Sequence, residues 1–285
     1  MKKNWGKRLI YGLATLLIFV GVAGVLTGCG KSDAKTATKT IKVGVVGTTD
    51  NPLWTQVNKN LKSEHIKVKP VSFSDGILAN EALNNKELDM VAFQHYAFLH
   101  QEEKEKHYKF SVIGQTYLTP LNIFSDKIKN IKQLKSGDKI AIPNNVVNAG
   151  RALSVLQEAG LIKIDPKAGD TPAIKDITEN KLKLKIVQVD PAKIMNLLPD
   201  FAAGITNSNF VKASHKDPID DAIYKSSFDY SDKTNKPWIN VIAVRTSDKN
   251  NATYKKVVQA YQTKSIVKVM NKTFNHMYTP AFKVK

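Results

Sequence analysis

The order of patterns along this chain predicts an α/β protein built on mostly parallel sheet, with enough residues for two lobes. Three observations carry that expectation. Short apolar runs alternate with helical periodicities from Ile41 to Val244, as in successive βαβ units. The chain has 285 residues, ample for more than one core. And the stretch Lys139–Gln157, KIAIPNNVVNAGRALSVLQ, passes from a buried strand through a polar loop into an amphipathic helix.

The first residues read as an address rather than as fold. Lys2, Lys3, Lys7 and Arg8 precede an apolar run from Leu9 to Val25, and Leu26-Thr27-Gly28-Cys29 follows. A basic start, a short apolar region and small residues before a cut describe a secretory leader over residues 1–28. Leu-Thr-Gly-Cys also resembles the lipobox of bacterial lipoproteins, which implies cleavage before Cys29 and lipid on its sulfur. Cys29 is the only cysteine, so no disulfide forms within the chain. Residues 29–40, small and polar, are expected to be a flexible tether.

The elements then follow in order. Ile41–Val46 reads as a strand, and Leu53, Val57 and Leu61 as the helix after it. Ile66–Phe73 is a second strand, 77–86 a helix and Leu88–Phe93 a third strand. A charged helix is expected over 97–109, and an extended run from Val112 to Ile123. After Lys139–Gln157, Gly160 is placed to stop the helix. Helices are predicted over 172–179 and from about Pro191 to Leu198, flanking a strand at Leu184–Val189. Phe201–Ile205 and Ile239–Val244 read as buried strands, and Tyr254 to about Phe274 as one long amphipathic helix.

In parallel sheets ligands sit beyond the carboxyl ends of strands. Here those ends are Phe73-Ser74-Asp75, Phe93-Gln94-His95-Tyr96 and the loop after Pro143. With Asn148 as N-cap, that last loop would turn free N–H groups outward, a seat for a carboxylate. Arg151, one turn further, supplies a planar fork that grips a carboxylate with two hydrogen bonds. The same pattern also fits an ordinary strand–loop–helix with a surface arginine.

In this order, behind a lipobox, several stretches resemble the methionine-binding lipoproteins of the NlpA/MetQ family. They are Phe73-Ser74-Asp75 with Asn80-Glu81-Ala82-Leu83, Phe93-Gln94-His95, and Pro143-Asn144 with Asn148-Ala149-Gly150-Arg151-Ala152-Leu153. Ala159–Lys163, Asn207-Ser208-Asn209-Phe210 and Asn240–Arg245 continue the match, which runs from Ile41 to Phe274. The resemblance implies a two-lobed, periplasmic-binding-protein-like (type II) fold with a ligand cleft between the lobes. It divides the chain into residues 41–120 plus 243–285 and residues 121–242. It implies that Arg151 binds a ligand carboxylate, with Asn148 shaping the loop, and that Asn207 and Asn240 hold the head group. Phe73, Phe93, His95 and Tyr96 would line the side-chain pocket. The implied partners are an amino acid, the permease and ATPase of an ABC importer, and the membrane through the lipid anchor, on the extracytoplasmic face of a bacterial cell. Where the family has a tyrosine this chain has Gly76, another usual tyrosine is Thr119, and Trp238 replaces a smaller ring. Such changes leave open another apolar amino acid or a short methionine-containing peptide.

Two other classes fit the sequence less well. The six histidines show no metal-ligand spacing, and no nucleophile motif or phosphate-cradling glycine loop is present, so neither an enzyme nor a cofactor is expected. The net charge of +18 invites nucleic acid, but the lysines are scattered and no nucleic-acid motif occurs. A basic surface lipoprotein that binds envelope polymers remains as an alternative to the importer reading.

Overall fold

The computed structural model describes residues 37–227 and 233–284. The leader, Cys29 and the tether as far as Thr36 therefore lie outside the described residues. In chain order the strands and helices are β1 (Lys39–Val46), α1 (Asn51–Asn60), β2 (Ile66–Phe73), α2 (Gly76–Asn84), β3 (Met90–Val91) and α3 (Tyr96–Lys106). Then come β4 (Phe110–Gln115), β5 (Tyr117–Leu118), β6 (Ile123–Phe124), β7 (Lys139–Pro143), α4 (Val146–Glu158), β8 (Lys163–Ile164) and β9 (Ile177–Glu179). β10 (Lys185–Val189), β11 (Ala203–Ile205), α5 (Ser208–Ala213), β12 (Val241–Arg245), α6 (Ala252–Tyr261), α7 (Lys264–Thr273) and β13 (Thr279–Pro280) complete it.

Two sheets organise these elements. The first has the order β2-β1-β3-β12-β4, and the second β10-β7-β11-β6. In each, the three strands joined through helices or long loops run parallel, and β12, β4 and β6 run against their neighbours. Pro70 sits in β2, where the edge position leaves no ladder bond for its missing N–H to make. The chain passes from the first sheet to the second between β4 and β6, and returns between β11 and β12.

Each sheet buries its own core. Val43, Val45, Trp54, Val57, Ile242 and Tyr261 pack on one face of the first sheet. Leu83, Val91, Leu99, Phe110 and Val241 fill the other. Ile140, Ile142, Leu153, Leu156 and Ile205 form the main core of the second. α4 ends as expected: Gly160 takes φ +72°, and the N–H groups of Gly160 and Leu161 close on Gln157 and Leu156 carbonyls, a Schellman motif.

Three expectations fail for local reasons. The C-terminal helix is two, because Thr263 caps α7 by accepting from the Ile266 N–H, while Asn60 takes the Ala260 carbonyl freed at the break. Residues 172–179 make only one 3₁₀ turn, closed by Asp176 accepting from the Ala173 N–H, and β-branched Ile177-Thr178 then pair in β9 with β8. Residues 191–197 form successive turns rather than a helix, closed by bonds such as the Lys193 N–H to the Asp190 carbonyl, and Leu198–Asp200 make one 3₁₀ turn. At the other end, β1 starts at Lys39, inside the expected tether. Among the described residues no helix is long and apolar enough to cross a membrane.

Candidate functional site

The loop after β7 sets the site. Asn145, not Asn148, is the N-cap of α4: its side chain accepts from the Asn148 N–H at 3.0 Å. Both asparagines can cap, but the helix begins at Val146, which puts Asn148 in the first turn with its side chain turned inward. Asn148 Oδ1 lies 3.2 Å from His95 Nε2 and accepts from Asn207 Nδ2 at 3.3 Å. Arg151, three residues on, shares that face.

Arg151 is 7% exposed. Its Nη2 donates to the Thr119 carbonyl at 2.8 Å, and its guanidinium lies 4.9 Å from the centre of the Trp238 ring. Among the described residues no carboxylate comes within ion-pairing distance of it. Burial holds its pKa down, to about 10, and it remains a cation at neutral pH. A desolvated guanidinium with no anion is costly unless one arrives.

His95 caps α3: Nδ1 accepts from the Phe98 N–H at 3.1 Å, which leaves Nε2 to carry the proton toward Asn148. Burial and then the Arg151 charge depress its pKa to about 3, so the ring is neutral. Trp238 meets it edge-on at 5.2 Å.

These groups face a cavity of about 330 Å³ lined from both sheets. Arg151, Asn148, Asn207, Asn240, Phe93 and His95 all line it. Phe73 and Tyr96 do not. Phe73 packs against the core around Leu83 and Val91. Tyr96 is the first residue of α3, and its hydroxyl turns to Gln115 Nε2 at 3.3 Å. The tyrosine missing at Gly76 leaves no open space: a Cβ there would come within 2.3 Å of the Phe93 ring. Thr119 lines the cavity, and its buried hydroxyl has no partner within the described residues.

Other lining groups escaped the sequence. Asp50 accepts from the hydroxyls of Tyr117, at 2.7 Å, and Tyr278. The two rings stack at 3.9 Å because β13 pairs with β5. Phe98 adds a further ring to the lining. Asp50 stands in a turn-rich stretch with no motif, and Tyr278 lies past the recognised stretches, so only the fold joins them. Among the described residues no cluster of His, Cys, Asp and Glu could hold a metal ion.

With this geometry in place, comparison with known proteins is decisive. The family model described as NlpA lipoprotein matches residues 41–282. The chain belongs to the NlpA lipoprotein family. It is 34% identical over 253 residues to the D-methionine-binding lipoprotein MetQ of Salmonella typhimurium, covering 88% of this chain and 90% of that one. Lipoprotein 28 of Escherichia coli is 32% identical, with 93% of this chain and 95% of that one covered. Among solved structures, a nutrient binding protein from Burkholderia cenocepacia bound to methionine is 36% identical with a TM-score of 0.80, over 85% of this chain and 100% of that one. The substrate binding protein of a methionine transporter from Streptococcus pneumoniae is 28% identical, with a TM-score of 0.80 over 85% and 96% of the two chains. The fold is the two-lobed α/β arrangement of substrate-binding proteins, as the resemblance implied.

Proposed function

We propose that this protein is the lipid-anchored, extracytoplasmic substrate-binding protein of an ABC amino-acid importer and that it binds methionine in the cavity between its two sheets. The observation that carries the reading is Arg151, a buried cation without an anion in the wall of a cavity sized for a small molecule. The methionine named for relatives and structural neighbours supports the choice of ligand. In this reading Arg151 takes the carboxylate, Asn207 and Asn240 hold the head group, and Phe93 and His95 wall the side chain. Residues 41–120 with 243–285 form one lobe and 121–242 the other, with Cys29 carrying the lipid.

The site binds rather than catalyses. Both His95 nitrogens are engaged, and a base with its pKa near 3 is a poor proton acceptor at neutral pH. The filled space at Gly76 favours a single amino acid over a peptide.

The test is thermal. Protein produced without residues 1–28 is unfolded, refolded to strip carried ligand, and melted against L- and D-methionine, the other amino acids and methionine dipeptides. A ligand at about 100 times its Kd stabilises by about 2.7 kcal/mol. A rise with methionine is expected. A rise with another amino acid only would reassign the ligand, and a rise with none would remove the importer reading in favour of an envelope-binding lipoprotein.

A further inference from the structure

Asp50 lines the same cavity as Arg151 and likewise has no counter-charge. It stands just before α1, yet its side chain caps no N–H of that helix. The carboxylate turns instead to Tyr117 and Tyr278. Two neutral donors fill only part of the roughly four acceptor sites that a carboxylate offers. Among the described residues no lysine, arginine or histidine comes within ion-pairing distance of Asp50. Burial, offset in part by the two hydroxyls, pushes its carboxyl above the usual range, the mark of a negative charge held short of compensation.

Of the other carboxylates in the lining, Asp75 caps α2 by accepting from the Leu78 N–H and Asp190 pairs with Lys193, so the cavity wall presents an uncompensated guanidinium at Arg151 and, at Asp50, a carboxylate met only by neutral hydroxyls. A zwitterion neutralises both. We propose that Asp50 receives the ligand's α-ammonium group while Arg151 receives its carboxylate, so that the site selects free amino acids over des-amino or N-blocked acids. This rests on the amino-acid-binding reading above. The stacked tyrosines position the carboxylate: β5 and β13 fix their backbones, and each hydroxyl spends its proton on Asp50. The asparagines contribute neutral hydrogen bonds beside this charge pair.

The experiment compares methionine with its des-amino analogue, 4-(methylthio)butanoate, by calorimetric titration of the full chain in detergent. Wild type should prefer methionine by about 10- to 100-fold, the range of a hydrogen bond to a charged group. Asp50→Asn should lose that preference while binding the analogue as wild type does, which also reports an intact fold. Asp50→Glu, which keeps the charge, should retain most of the preference. If Asp50→Asn weakens both ligands alike, or neither, the ammonium assignment is wrong although the importer reading stands. If wild type binds neither ligand, the functional reading fails and this assignment goes with it.

Discussion

Arg151 shows how a single side chain can be costly to the empty protein and necessary to the loaded one. Its hydrogen bond to the Thr119 carbonyl leaves most of its donors for something that the chain does not contain. Arg151→Ala should therefore change the melting temperature of the empty protein little while weakening methionine by at least ~100-fold, since a buried carboxylate would lose its charged partner. Arg151→Lys should recover only part of the loss, because a point charge lacks the bidentate fork. Titration calorimetry decides, and undiminished affinity in the alanine variant would overturn the site. His95 gives a second prediction. Its pKa falls from the ordinary 6.5 to about 3 on folding, so between those values the unfolded chain binds a proton that the folded chain refuses. Stability should then fall as pH drops below about 6.5, the sense that linkage requires when the unfolded state binds more protons. Melting curves from pH 7.5 to 5 should show the decline in wild type and a shallower one in His95→Gln. Equal slopes would mean that His95 titrates normally.

At the scale of elements, α4 delivers the chemistry. Asn145 stops the strand-to-helix turn, which fixes the phase of Asn148 and Arg151 on the inward face. Asn145→Ala should cost about 1 kcal/mol of stability, a usual figure for losing a side-chain cap. It should also weaken methionine, because the first turn holds Asn148 against His95 and Asn207; a variant that melts lower but binds equally would separate cap from site. This element was legible in the sequence, since apolar run, polar loop and periodic helix leave little choice. Its phase was not, because two asparagines three residues apart compete for one cap. The same limit explains the C-terminal helix: apolar periodicity runs through Gln262-Thr263, and only the Asn60 side chain, about 200 residues away, makes the break satisfiable. Phe93 and His95 could be read from strand-end position. Asp50 and Tyr278 could not, as their meeting depends on a β5–β13 pairing of two residues each.

At the scale of the whole molecule, several of the contacts that bridge the two sheets are single polar bonds. Thr49 Oγ1 donates to the Asn209 carbonyl at 3.2 Å, and His95 and Asn148 meet across the cavity. On the far side Asn275 Nδ2 reaches Asp217 at 3.2 Å and Asp220 at 2.9 Å. Neutral or exposed bonds of this kind are each worth about 1 kcal/mol or less, so they bias the closed arrangement without locking it. Ligand, bound by both sheets, should supply the remainder by differential affinity for the closed state. When the binding-competent fraction falls, apparent affinity falls in proportion. Thr49→Val with Asn275→Ala should thus weaken methionine by roughly 5- to 30-fold, following ~1–2 kcal/mol of lost closing bias. Both substitutions leave the polar groups that face the ligand in place. Small-angle scattering should show the variant opening further when empty and contracting to the wild-type radius with saturating methionine. An unchanged affinity with an unchanged empty-state radius would mean that the two sheets are held together by their crossing strands alone, with no closing equilibrium for a transporter to read.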